Sequence, residues 1–109
     1  MGINQKFGDK FEDEIADLLG WETRDKVHGL KIADVVGDGF CGECKATKSK
    51  SRSIGVDLIK KIKFEALKYN ANDWVIFSKV RDEDGSFIVT ATIPVDLFEE
   101  FVELRKSSE

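Results

Sequence analysis

The chain is 109 residues long, 41% hydrophobic and 35% charged, with a formal net charge of −4. That length fits a single domain with one sizeable core, and no room is left for a second. No apolar run approaches the roughly 20 residues of a membrane span. The start, "MGINQKFGDKFEDE", is too polar for a signal peptide, and its sixth position lacks the Ser or Thr of a myristoylation signal. Two cysteines and no export signal lead us to expect a reducing, intracellular and cytoplasmic setting.

In chain order, residues 5–19 read as a helix, with Phe7, Phe11, Ile15 and Leu18 on one face and Gly20 as the stop. Trp21 to Asp25 reads as a short strand. Lys31–Val36 and Phe40–Thr47 read as two strands joined by a tight "GDG" hairpin. "TKSKSRS" then reads as a mobile polar loop, and Ser53 as the N-cap of a helix over 54–70. "DWVIFSKV" and "SFIVTATI" are strands around the turn "RDEDGS". Pro94 opens a last helix with an apolar face of Leu97, Phe98, Phe101, Val102 and Leu104. Trp21 and Trp74 are expected in the core. The order α-β-β-β-α-β, then β-α, predicts an α/β domain with a central mixed β-sheet flanked by helices.

Charge is unevenly spread. Lys45, Lys48, Lys50, Arg52, Lys60, Lys61, Lys63 and Lys68 share residues 45–68 with only Asp57 and Glu65. The segment is therefore +6 and the remainder −10. It suits a polyanion, or it is a solvated helix face beside a lysine-rich loop. On a helical wheel Lys60, Lys61, Lys63 and Lys68 lie opposite Leu58, Ile59, Ile62, Ala66 and Tyr69. Phe64 and Leu67 stand among the lysines, as a dimer contact or packed beneath another element.

Strand alternation places Cys41, Glu43, Lys45 and Thr47 on one face and Phe40, Gly42, Cys44 and Ala46 on the other. Glu43 and Lys45 thus project together, about 6–7 Å apart along the strand. The hairpin brings Asp34 level with them. An ionised Asp34 among Ile32, Ala33, Val35 and Val36 costs several kcal/mol if buried alone. It needs a lysine, a hydrogen-bond network or a metal ion. Mg²⁺ takes one or two carboxylates, with water and phosphate completing its octahedron.

Asp34 followed by Glu43-Cys44-Lys45 resembles the signature of the PD-(D/E)XK nuclease superfamily, with Ala33 in place of the motif's Pro. "GDKFEDEIADLLG" resembles the first helix of the small archaeal and phage Holliday junction resolvases. The resemblance covers roughly residues 5–80. It implies a restriction endonuclease-like core and a Mg²⁺-dependent endonuclease, with Mn²⁺ able to substitute. It also implies that Asp34, Glu43 and the Cys44 backbone carbonyl hold the metal. Lys45 would then orient or deprotonate water, or stabilise the pentavalent phosphate. Two carboxylates beside it favour stabilisation. Glu12 and Glu14 both flank the apolar stripe of the first helix, and the resemblance favours Glu12 as the site-lining acid. Lys48, Lys50, Arg52, Lys60, Lys61, Lys63 and Lys68 are the expected DNA contacts, which position the duplex without reading its sequence. Resolvases of this type act as dimers, so a homodimer is expected.

Within this class, a structure-selective resolvase and a phage-type nicking, restriction or homing endonuclease both remain open. The small size leans toward recognition of DNA shape. A non-catalytic DNA-binding module on the same fold would leave the Asp34, Glu43 and Lys45 set unexplained. Cys41-Gly-Glu-Cys44 invites a zinc or redox role, but one histidine, His28, leaves too few ligands for structural zinc. Cysteines three apart on a strand point to opposite faces, about 10 Å apart, too far for a disulfide. Cys44 is expected to be a small core residue.

Overall fold

A computed structural model describes residues 3–23, 33–51 and 53–108. Among the described residues eight elements follow one another as α1 (Ile3–Leu19), β1 (Glu22–Thr23), β2 (Val35–Gly37), β3 (Phe40–Ala46), α2 (Val56–Tyr69), β4 (Asp73–Arg81), β5 (Phe87–Thr92) and α3 (Val95–Ser107). Their order is the one expected from the sequence. The proposed strand residues Arg24, Asp25, Lys31 and Ile32 lie outside the described residues, as do His28 and Arg52.

The strands form one five-stranded mixed sheet in the order β1-β2-β3-β4-β5. β1, β2 and β3 run as an antiparallel meander. β3 and β4 are parallel, so α2 is the crossover between them, and β5 returns antiparallel at the edge. Asp38 (φ 49°) and Gly39 (φ 83°) make the two-residue turn between β2 and β3. That turn sets the register Val35 opposite Gly42 and Val36 opposite Cys41. Gly42 is bare because a Cβ there would meet Val35 Cγ2 at 2.7 Å.

Each face of the sheet has its own core. Phe11, Ile15 and Ala16 of α1 pack with Val35, Cys44, Val75 and Phe77. Ile62 and Ala66 of α2 pack with Ala33, Val36, Cys41 and Ile76 on the other face. Burying one such side chain contributes about 1.5–3 kcal/mol. Leu18, expected on the buried stripe of α1, is exposed. The helix ends there, and Trp21 fills the cluster against Phe40 and Phe77. Trp74 is partly buried against the α2 cluster.

Three expectations need correction. α2 begins at Val56 with Gly55 as its N-cap and no side-chain cap bond, so Ser53 does not cap it. The loop after β3 is not free along its length. Thr47 N–H donates to the Lys79 carbonyl and Arg81 N–H to the Ser49 carbonyl, which ties it to β4. α3 does not cover the sheet: only Leu97 is buried, and Phe98, Phe101 and Leu104 are exposed.

Candidate active site

The register brings Asp34 and Glu43 level. Asp34 N–H donates to the Gly42 carbonyl, one step beyond the Val35–Gly42 pair. The Asp34 carboxylate then accepts the backbone N–H of Cys44 at 2.8 Å. Asp34 therefore continues the ladder with its side chain, on the residue that separates Glu43 from Lys45. This hydrogen bond meets part of the cost of a buried carboxylate, since Asp34 is 7% exposed.

Glu43 is more deeply buried, at 2%. It lies on the face covered by α2, and both of its lysine partners reach the same oxygen. Lys61 Nζ donates to Oε1 at 3.2 Å, and Lys45 Nζ stands 3.4 Å from it. The second oxygen, Oε2, is buried with no hydrogen-bond partner among the described residues. Burial pushes the Glu43 carboxyl above the usual carboxylate range, and the neighbouring Asp34 adds to this; Lys61 and Lys45 pull the other way. For Lys61, burial alone would lower the ammonium's pKa. Glu43, Glu65 and Asp34 outweigh it and hold the group above its ordinary value.

The charges of the four expected catalytic residues, Glu12, Asp34, Glu43 and Lys45, are all felt at Cys44. Burial raises its thiol pKa well above the ordinary value, and the charges of Asp34, Glu12 and Glu43 raise it further, while Lys45 opposes them. All four charged groups therefore act on one strand position. Glu12 is partly buried on α1, on the sheet face opposite Glu43. Glu14 is engaged elsewhere: its carboxylate accepts from Lys79 Nζ at 2.9 Å. That ammonium also lies 5.0–5.7 Å from the rings of Phe7, Phe11 and Phe87. No group of three His, Cys, Asp or Glu side chains that could hold a metal ion occurs among the described residues.

No protein-family model, curated protein or solved structure matches this chain.

The two cysteines lie in different cores, Cys44 on the α1 face and Cys41 on the α2 face, and both are free thiols. Of the expected DNA contacts, Lys48, Lys50, Lys60, Lys63 and Lys68 are exposed. Lys50 forms a loose surface pair with Glu83 at 3.8 Å, and Lys48 and Lys68 lie over the rings of Phe7 and Phe64. Lys61 leaves that stripe and turns to Glu43. Phe64 and Leu67 pack beneath no other described element, being 62% and 80% exposed. Glu65 joins the cluster without having been anticipated. Its i,i+4 spacing from Lys61 was the available signal. No helix among the described residues is long and apolar enough to cross a membrane.

Proposed function

We propose that this chain is a divalent-metal-dependent endodeoxyribonuclease with a restriction endonuclease-like core. The observation that carries this is the Glu43 carboxylate. It is buried at the level of Asp34 on the adjacent strand, has two ammonium groups on one oxygen, and has no donor among the described residues on the other. A buried anionic oxygen without a donor is costly, and a cation would relieve it. The donor set fits a hard cation, being two carboxylates with a nearby backbone carbonyl. Asp34, Glu43 and the Cys44 carbonyl would hold Mg²⁺ or Mn²⁺. When bound, such an ion polarises a phosphate oxygen and lowers the pKa of its water.

The chain's own residues supply the rest. Asp34 fixes the β3 backbone at Cys44, between Glu43 and Lys45, which strand alternation sets on the same side. Lys45 is 30% exposed, which leaves its ammonium reachable by a phosphate. It stabilises charge developing on the phosphoryl oxygens. Lys48, Lys50, Lys60, Lys63 and Lys68 offer exposed cations to the DNA backbone, with Arg52 between them in sequence. A Holliday junction resolvase-like or otherwise structure-selective activity fits a domain of this size. The two reduced thiols suit an intracellular location.

One observation favours a second reading, a non-catalytic DNA-binding module. Lys45 and Lys61 already neutralise Glu43 without a metal. Incubation with plasmid, four-way junction and flap DNA, with and without Mg²⁺ or Mn²⁺, separates the two. Metal-dependent cleavage that disappears in Asp34→Asn and Glu43→Gln supports the nuclease. Salt-sensitive binding with no cleavage of any substrate supports the module.

A further inference from the structure

Lys61 has two environments within reach. On α2 it stands between the buried line of Ile62 and Ala66 and the exposed lysines Lys60, Lys63 and Lys68. It precedes Lys68 by seven residues, two turns, and so shares nearly the same line of the helix with that exposed cation. Its ammonium nevertheless donates to Glu43 Oε1 at 3.2 Å, while the side chain stays 48% exposed. Lys45 Nζ lies 3.4 Å from the same oxygen and is less exposed, at 30%. One carboxylate oxygen thus takes two ammonium groups. The other, Oε2, is buried with no hydrogen-bond partner among the described residues.

We propose that the Glu43–Lys61 ion pair is a latch that withholds a DNA phosphate contact until a divalent cation reaches Glu43, so that metal and DNA binding strengthen each other through Lys61. This rests on the nuclease reading above and adds how its two ligands are coupled. A cation on Oε2 would share one carboxylate with both ammonium groups and weaken their hold on Oε1 by like-charge repulsion. Of the two, Lys61 is the one free to leave. It is the more exposed, and its flexible stem can carry the ammonium outward to the side of Lys68. Lys45 issues from β3 two residues after Glu43 and stays at the site. Glu65, four residues after Lys61, is the competing acceptor within the chain, but pairs at that spacing on a helix hold weakly. A phosphate at low salt can therefore take the released ammonium. The coupling is reciprocal: DNA that holds Lys61 removes a competitor for Glu43 and tightens the ion.

The test measures binding of a short fluorescent DNA duplex in EDTA over a range of salt, for wild type, Glu43→Gln, Lys61→Ala and the double variant. Glu43→Gln opens the latch without metal. It should raise affinity about fivefold at low salt and steepen the slope of log K against log salt by about 0.9, one added phosphate contact. Combining it with Lys61→Ala should cancel the steepening, and Lys61→Ala alone should leave the wild-type slope unchanged. Lysine acetylation read by mass spectrometry follows the ammonium directly and decides even if a Lys61 variant unfolds. In metal-free wild type Lys61 should label more slowly than Lys60 and Lys63, and either Mg²⁺ or Glu43→Gln should bring it to their rate. A slope that Glu43→Gln leaves unchanged overturns the proposal. So does a steepening that survives Lys61→Ala, which would assign the contact to Lys45, or a Lys61 labelling rate that ignores Mg²⁺. Cleavage is scored separately. A wild type that binds DNA and never cleaves it ends the nuclease reading, while slopes and labelling still decide the latch. A chain that binds no DNA ends both.

Discussion

The Asp34 carboxylate accepts the backbone N–H of Cys44 at 2.8 Å, so the side chain of one strand sets the backbone between Glu43 and Lys45 on the next. Two roles are thus joined in Asp34, and two substitutions separate them. Asp34→Ala leaves a buried N–H unsatisfied and should lower stability by about 1–3 kcal/mol in urea unfolding. Asp34→Asn keeps an oxygen acceptor and removes the charge. It should retain most of the stability while losing at least about 100-fold in metal-dependent cleavage, the scale of removing a charged catalytic group. Equal stability losses in both would show that the hydrogen bond matters less than the charge.

The lysines of α2 divide into two classes that a helical wheel does not distinguish. Lys60 and Lys63 are exposed, whereas the Lys61 ammonium lies 3.2 Å from Glu43. Lys60→Ala and Lys63→Ala should weaken DNA binding across all sequences. Each should reduce the salt slope of log K by about 0.9 and leave the melting temperature unchanged. Lys61→Ala should lower stability at neutral pH, because Glu43 keeps only Lys45 as a counter-charge. It should also tighten Mg²⁺ binding in calorimetry, since Lys61 and the ion compete for one carboxylate. Lower stability with unchanged metal affinity would argue that the ion does not use Glu43.

The pH dependence of stability follows from the same carboxylate. Burial and Asp34 raise the Glu43 pKa in the folded state above its unfolded value of about 4.5. Between those two values the native state binds more protons than the unfolded state, so stability falls as pH rises through the window. The penalty is absent below the unfolded pKa and complete above the folded one. Glu43→Gln should remove that component and flatten the dependence of stability on pH across the window. Lys61, half exposed, can then turn to water. Saturating Mg²⁺ should stabilise wild type and not the variant. Thermal melts from pH 4.5 to 8, with and without the ion, measure both effects.

Much of the site was legible because short-range rules govern it. The Gly37-Asp38-Gly39 turn and strand alternation suffice to bring Asp34, Glu43 and Lys45 together, and alternation also separates Cys41 from Cys44. What escaped the sequence depends on reach and on tertiary partners. A wheel gives Lys61 a direction, but its flexible four-carbon stem lets the ammonium bend back to a buried acid. The Lys79 partner of Glu14 lies 65 residues away in the chain, beyond the reach of any helical pattern. The apolar pattern of α3 shows that a face needs covering, but not that the sheet of the same chain leaves it bare. Gly55 rather than Ser53 is the N-cap of α2, and no side chain caps it.

The cysteines supply a final prediction, about reactivity. Cys41 is fully buried under α2, and its S–H donates weakly to the Glu65 carbonyl at 4.0 Å. Burial and the charge of Glu65 push its thiol pKa up to about 11. Cys44 is buried on the other face and is held higher still by burial and three carboxylates. Since the thiolate is the nucleophile, both should be nearly inert to iodoacetamide in the native protein at pH 8 and react readily in urea. Cys41→Ser with Cys44→Ser should leave cleavage within about threefold of wild type, with a stability loss of about 1–3 kcal/mol from burying hydroxyls. Rapid native labelling, or complete loss of cleavage in a folded double variant, would instead assign the thiols a chemical role.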